Sequence, residues 1–134
     1  MIKTYREALT EAMREELQRD DSVILMGEDV GVYGGGFGVT EGLIAEFGAD
    51  RVIDTPVSET AFVGTAIGAA ATGMRPVVEL MFSDFMAVCW DQIMNEAAKM
   101  HFMYGLDVPV VIRSASGAGT GASAQHSQSL ENMY

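Results

Sequence analysis

Apolar residues along this chain switch repeatedly between two spacings. Tyr5, Ala8, Leu9, Ala12, Met13 and Leu17 recur at helical intervals, and Thr4 followed by Glu7 has the spacing of a capping box, so an amphipathic helix is predicted to about Asp20. Val23 to Met26 is then a continuous apolar run, too short for a helix and suited to a strand buried on both faces. Thr40 to Phe47 reads as a short helix stopped by Gly48, Arg51 to Asp54 as a second strand, and a long helix begins near Glu59 after the break at Pro56. Pro76 to Leu80 supplies a third strand. A helix starting near Ser83 or Asp84 places Met86, Cys89, Ile93, Ala97 and Met100 on one face, and Pro109 to Arg113 supplies a fourth strand. Gly31 to Gly38 is a glycine-rich loop long enough to move and too irregular for a phosphate-binding fingerprint. Ser114 to Ser123 is drawn from Gly, Ala, Ser and Thr, a flexible loop, and AQHSQSLENMY after it reads as the opening of another helix.

Strands alternating with helices in this way predict an α/β fold, a doubly wound parallel sheet. Ligands of such sheets bind outside the carboxyl ends of the strands, which directs attention to Glu28, Glu59, the segment Met81 to Phe85 and the loop leading to His126. Ser58 can cap the helix that follows it, with Glu59 in the first turn, where the helix dipole favours a negative charge. Behind it, Ala61, Gly64, Thr65, Gly68, Ala69 and Thr72 fall three and four apart, predicting a face that another backbone or a flat cofactor can approach closely. Read from the residues alone, Glu59 is equally a first-turn carboxylate, Glu28 a solvated strand-end acid, His126 a satisfied helix-start histidine, and Met81 and Phe85 core residues.

Composition narrows the setting. At 134 residues the chain is read as one domain. A hydrophobic content of 49% with mean hydropathy +0.17 is high for a small independent domain and predicts that a partner covers part of its surface. The net charge of −11 argues against nucleic acid or an anionic membrane as a partner, and no apolar run approaches the roughly 18 residues of a membrane span. A single cysteine, Cys89, offers neither an internal disulfide nor metal-ligand spacing, and the start MIKTYREAL lacks signal character, so a cytoplasmic location is expected.

Five segments together carry a resemblance. GEDV at Gly27 to Val30, DTPVSE at Asp54 to Glu59, GMRPVVELMFSDF at Gly73 to Phe85, DQIMNEAAK at Asp91 to Lys99 and AQHSQSLE at Ala124 to Glu131 resemble the beta subunit of the thiamine-diphosphate-dependent 2-oxo acid dehydrogenases, nearest to the pyruvate and acetoin branches. The resemblance implies a transketolase-type pyrimidine-binding domain over residues 1–134, cut short near Tyr134 and lacking the family's carboxyl-terminal domain. Such a fragment is expected to be inactive alone. It also implies an alpha subunit, paired in an alpha2-beta2 heterotetramer, that holds the diphosphate and magnesium; no metal ligand is expected here. A lipoyl-bearing dihydrolipoyl acyltransferase is the implied second partner. Ketol transfer, as in transketolase or deoxyxylulose phosphate synthase, and a scaffold of the same fold are the alternatives.

By the same resemblance, Glu59 bonds the aminopyrimidine ring of thiamine diphosphate and favours its imino tautomer, which then takes the thiazolium carbon proton. With the cofactor beside it, burial is expected to raise the Glu59 pKa. Glu28 matches a second carboxylate, on an acidic water-linked route between paired sites. Phe85, Met81 and Val57 match positions lining the pyrimidine pocket. His126 matches a histidine at the site's mouth, where an imidazole serves acyl transfer to the lipoyl group or binds the substrate carboxylate. Some members hold a structural potassium through carbonyls of the strand matching Pro109 to Arg113. His101, Cys89 and Trp90 are left to packing.

Overall fold

The computed structural model describes residues 2–134. The chain begins with α1 (Tyr5–Arg19), whose start is built as its sequence predicts. Thr4 Oγ1 accepts from the Glu7 N–H at 3.2 Å, and Glu7 Oε2 accepts from the Thr4 N–H at 2.7 Å, so two unpaired helix-start donors are satisfied reciprocally. Its far end is held by Arg51, which donates to the carbonyls of Val23 at 2.6 Å, Asp20 at 2.9 Å and Leu17 at 3.0 Å. A cation there meets the last-turn carbonyls and the negative end of the helix dipole.

β1 (Val23–Gly27), β2 (Val52–Asp54), β3 (Arg75–Phe82) and β4 (Val111–Ala115) form one parallel sheet in the order β2-β1-β3-β4. β1 is buried along its whole length, which is why it reads as a continuous apolar run. Two cores lie on its two faces. Leu17, Val23, Leu25, Leu43 and Val52 pack on the side of α1 and α2 (Leu43–Phe47). Met26, Val78 and Leu80 pack against Phe62, Val63, Ala66 and Ile67 of α3 (Glu59–Ala71) on the other.

Five expectations are corrected. Ser58 does not cap α3: its hydroxyl donates to the carbonyl of Pro56 at 3.0 Å, satisfying the turn rather than the helix. The small-residue face of α3 is only partly used. A Cβ on Gly64 would meet the Gln92 side chain at 3.4 Å, whereas Gly68 has nothing within 4 Å among the described residues. The helix expected from Ser83 is broken into a 3-10 helix (Ser83–Ala87), a π-helix (Gln92–Ala97) and α4 (Met100–Tyr104). Its apolar face nonetheless survives, because a tight turn followed by a wide one averages near the α period, and Met86, Cys89, Ile93, Ala97 and Met100 all join the second core. The helix expected after Ala124 is replaced by 3-10 turns at Ala124–His126 and Glu131–Met133. The Gln128 N–H is committed to the Asp84 side chain, and Ser123 sits at a left-handed φ of 67°, so an α-helical ladder cannot start there. The strand expected at Pro109 to Arg113 is shifted to Val111–Ala115 and takes in the first two residues of the small-residue loop.

Candidate functional site

The carboxyl ends of β1 and β3 lie side by side where the chain reverses its direction of travel across the sheet, the switch point at which ligands of open α/β sheets bind. At the end of β1, Gly27 permits a close approach: a Cβ there would lie 2.5 Å from the Glu79 carbonyl oxygen on β3. Glu28 follows it and is 8% exposed. From β2 the Thr55 N–H donates to the Gly27 carbonyl at 2.9 Å, drawing the exit of that strand across β1 and bringing Ser58 and Glu59 over Glu28. Burial pushes the Glu28 carboxyl above its ordinary value and the Glu59 carboxylate beside it pushes the same way, while the Ser58 backbone partly offsets them. Glu28 Oε1 is buried with no hydrogen-bond partner among the described residues. The structure therefore brings the two predicted carboxylates together, one buried and one half-buried.

Beside them stands an aromatic group that sequence analysis identified only in part. Phe82, the last residue of β3, lies 5.8 Å from Phe37 and 6.1 Å from Phe85, both edge-on, and stacks on His126 at 4.5 Å and 29°. Phe85 meets His126 edge-on at 5.2 Å. Met81 points at the glycine-rich loop instead, where a Cβ on Gly36 would lie 2.5 Å from its sulfur. That loop is tied down rather than loose. The Asp54 carboxylate accepts from the N–H groups of Gly31 at 2.6 Å and Val32 at 3.0 Å, and Gly35 N–H donates to the Asp29 carbonyl at 2.7 Å. Val57 is 80% exposed and forms no wall with this chain's own residues.

Asp84 was missed. It is 7% exposed, immediately past the end of β3, and accepts from Gln128; its signal was an acid in the first turn after a buried strand. Cys89 is inert packing: burial pushes its thiol up to about 11, reinforced by the Glu59 charge.

Among the described residues, buried side-chain atoms without a partner gather at this edge, Gln92 Oε1 in the π-helix being the exception. Besides Glu28 Oε1 they include Thr55 Oγ1 after β2, Ser83 Oγ and Asp84 Oδ2 after β3, and His126 Nδ1 and Ser127 Oγ after β4. Folded proteins satisfy most buried polar groups, so a row of unsatisfied ones along one sheet edge marks a place completed by something else. The donor set there is carboxylate, hydroxyl and imidazole against aromatic rings, suited to a flat, nitrogen-bearing ring. Among the described residues no group of three or more His, Cys, Asp or Glu is arranged to hold a metal ion, and no helix is long and apolar enough to cross a membrane.

Comparison with known proteins places the fold and the family. The chain is 53% identical over 139 residues to the acetoin:2,6-dichlorophenolindophenol oxidoreductase subunit beta of Cupriavidus necator, covering 95% of this chain and 41% of that one. It is 50% identical over 133 residues to the pyruvate dehydrogenase E1 component subunit beta of Rickettsia bellii, covering 98% of this chain and 41% of that one. The chain thus spans about two-fifths of the length of these relatives. A solved structure described as a split gene transketolase, inactive beta4 tetramer, superposes with a TM-score of 0.67 at 22% identity over 95% of this chain and 37% of that one, a likeness of fold. The profile described as transketolase, pyrimidine binding domain matches residues 2–134. On that match, and on a parallel sheet that sets two carboxylates at its switch point, this chain belongs to the family of transketolase pyrimidine-binding domains.

Proposed function

We propose that this chain is the pyrimidine-binding part of the beta subunit of a 2-oxo acid or acetoin dehydrogenase that uses thiamine diphosphate. The observation that carries the reading is the buried Glu28 carboxyl beside Glu59, with Glu28 Oε1 lacking a partner. When bound, thiamine diphosphate supplies a carbon nucleophile and an electron sink for cleaving the bond next to a carbonyl. This chain's residues prepare it. Glu59 holds a proton toward the pyrimidine ring nitrogen. Glu28 keeps an acidic group behind Glu59, so a proton lost from one is shared with the other. Phe85 presents a ring to stack on the pyrimidine, with Met81 and Val57 as apolar neighbours. His126, on its aromatic seat, gives or takes a proton during acyl transfer to a lipoyl group or binds the substrate carboxylate.

The remaining parts of the reading rest on the resemblance to the dehydrogenase beta subunits and on the sequence. Magnesium and the diphosphate belong to an alpha subunit in an alpha2-beta2 assembly, the acyl group leaves on a dihydrolipoyl acyltransferase, and the assembly is cytoplasmic. The resemblance to subunits of both acetoin and pyruvate enzymes supports this class and leaves the carbonyl substrate to the partner's half of the site.

The test is thermal melting of the chain assembled with its alpha subunit, with and without thiamine diphosphate and magnesium, for wild type and Glu59→Gln. A ligand that binds only the folded complex raises its Tm by mass action. Wild type is expected to gain, and Glu59→Gln, once loaded, to lose proton exchange at the thiazolium carbon by about 100-fold or more. A stable complex with no cofactor effect on Tm sinks the reading in favour of a scaffold.

A further inference from the structure

The segment that carries His126 has little to hold it except one buried side chain. It runs through residues of type Gly, Ala, Ser and Thr, with left-handed backbone at Gly117 (φ 88°), Gly121 (φ 64°) and, without a glycine's freedom, Ser123 (φ 67°). Such a stretch buries little apolar surface to offset the entropy lost in fixing its backbone, so its conformation depends on anchors. Those anchors converge on Asp84. Oδ1 of Asp84 accepts from Nε2 of Gln128 at 2.6 Å and from the Gln128 backbone N–H at 3.3 Å. The Gln128 carbonyl in turn accepts from the Gly117 N–H at 3.0 Å, closing the loop on itself. A carboxylate accepting two N–H groups from one residue is a charge-assisted tie. The other ties, Ser116 Oγ donating to Glu131 Oε1 at 2.9 Å and Tyr134 Oη donating to the Ser83 carbonyl at 3.3 Å, hold the flanks and not the tip.

The imidazole lies two residues before Gln128, and the rings it rests on, Phe82 and Phe85, bracket Asp84 in the chain. One turn at the end of β3 thus supplies both the seat and the latch. Resting on the reading of His126 as an acyl-transfer residue, the geometry points to Asp84 as its positioning residue: through Gln128, Asp84 fixes the loop 117–128 so that the His126 ring stays on Phe82 and Phe85. Asp84 itself moves no proton in this scheme.

The experiment uses the complex with the alpha subunit, thiamine diphosphate and magnesium, with this chain alone carrying 13C-labelled histidine. His126 ring signals are displaced by ring currents from Phe82 and Phe85, and the exposed His101 is the internal reference. In Asp84→Ala and in Gln128→Ala the His126 signals are expected to move toward those of His101. Transfer from pyruvate or acetoin to a lipoyl domain is expected to slow about tenfold or more in both, and in Gln128→Ala proton exchange at the thiazolium carbon is expected to stay unchanged. The pair Asp84→Asn with Gln128→Glu reverses donor and acceptor and is expected to recover both the signals and the rate, which general loosening of the fold would not. His126 signals that stay in place in both single variants overturn the latch. Displaced signals with unchanged transfer leave the latch standing and overturn the role given to His126. Should Asp84→Ala fail to assemble, Gln128→Ala, at an exposed position, carries the same test.

Discussion

Burial and the adjacent Glu59 charge raise the Glu28 carboxyl above its ordinary value of 4.5, which makes ionisation of that side chain a load on the fold. A carboxyl whose folded pKa exceeds its unfolded one contributes stability fully below the unfolded value, and that contribution is lost as the pH rises through the folded value. Glu28→Gln keeps the shape and removes the charge. The variant is therefore expected to melt above wild type at pH 7, with the gap closing toward pH 4, as followed by calorimetry. A gap that widens toward acid would show that the carboxylate is stabilising, the opposite sign. Stability gained by removing a site residue is the usual trade between fold and function.

Among the elements, α1 shows how one side chain can finish what a helix cannot finish for itself. Its amino end is closed locally by Thr4 and Glu7, three residues apart, whereas its carboxyl end borrows Arg51 from the strand side of the sheet. Arg51→Ala removes hydrogen bonds to three carbonyls at once, and at about 1 kcal/mol for each bond the expected loss is about 3 kcal/mol. Urea unfolding checks it, with the midpoint lowered and the slope unchanged. Capping at the start of α1 was legible because both partners sit within one turn. The Arg51 clamp was not, because its partners lie some thirty positions away. The same distinction explains the segment after β3. Its apolar stripe was readable at helical spacing, yet the division into 3-10, π and α turns was not, since a tight turn followed by a wide one averages near the α period.

For the molecule as a whole, the high hydropathy finds its counterpart on the surface. Val32 and Tyr33 on the glycine-rich loop and Val57 before α3 stand exposed around the candidate site, and an apolar groove of about 490 Å³ runs between α1 and β4. The face of α3 that holds Gly68 is likewise exposed. Nothing among the described residues would meet a Cβ at Gly68, so Gly68→Ala is expected to stabilise the chain on its own by about 1 kcal/mol through helix propensity. Chemical denaturation of the chain without partners measures it, and a loss in place of a gain would show that the glycine is needed within this chain.

By themselves the residues determined the alternation of strand and helix, the parallel sheet, the start of α1 and the places of Glu28, Glu59 and His126 on the segments that follow strands. All of these are local signals, carried by spacing within a few turns or by the rule that places ligands at carboxyl ends. Only the tertiary structure decided that Glu28 and Glu59 touch one electrostatic environment, that Ser58 serves its turn and not its helix, that Phe82 joins Phe85 beneath His126, and that Asp84 reaches Gln128. Strand order, register and crossover bring together side chains that lie 31 to 44 positions apart, and those are settled by packing on two cores at once, a property of the folded chain that no window along the sequence contains.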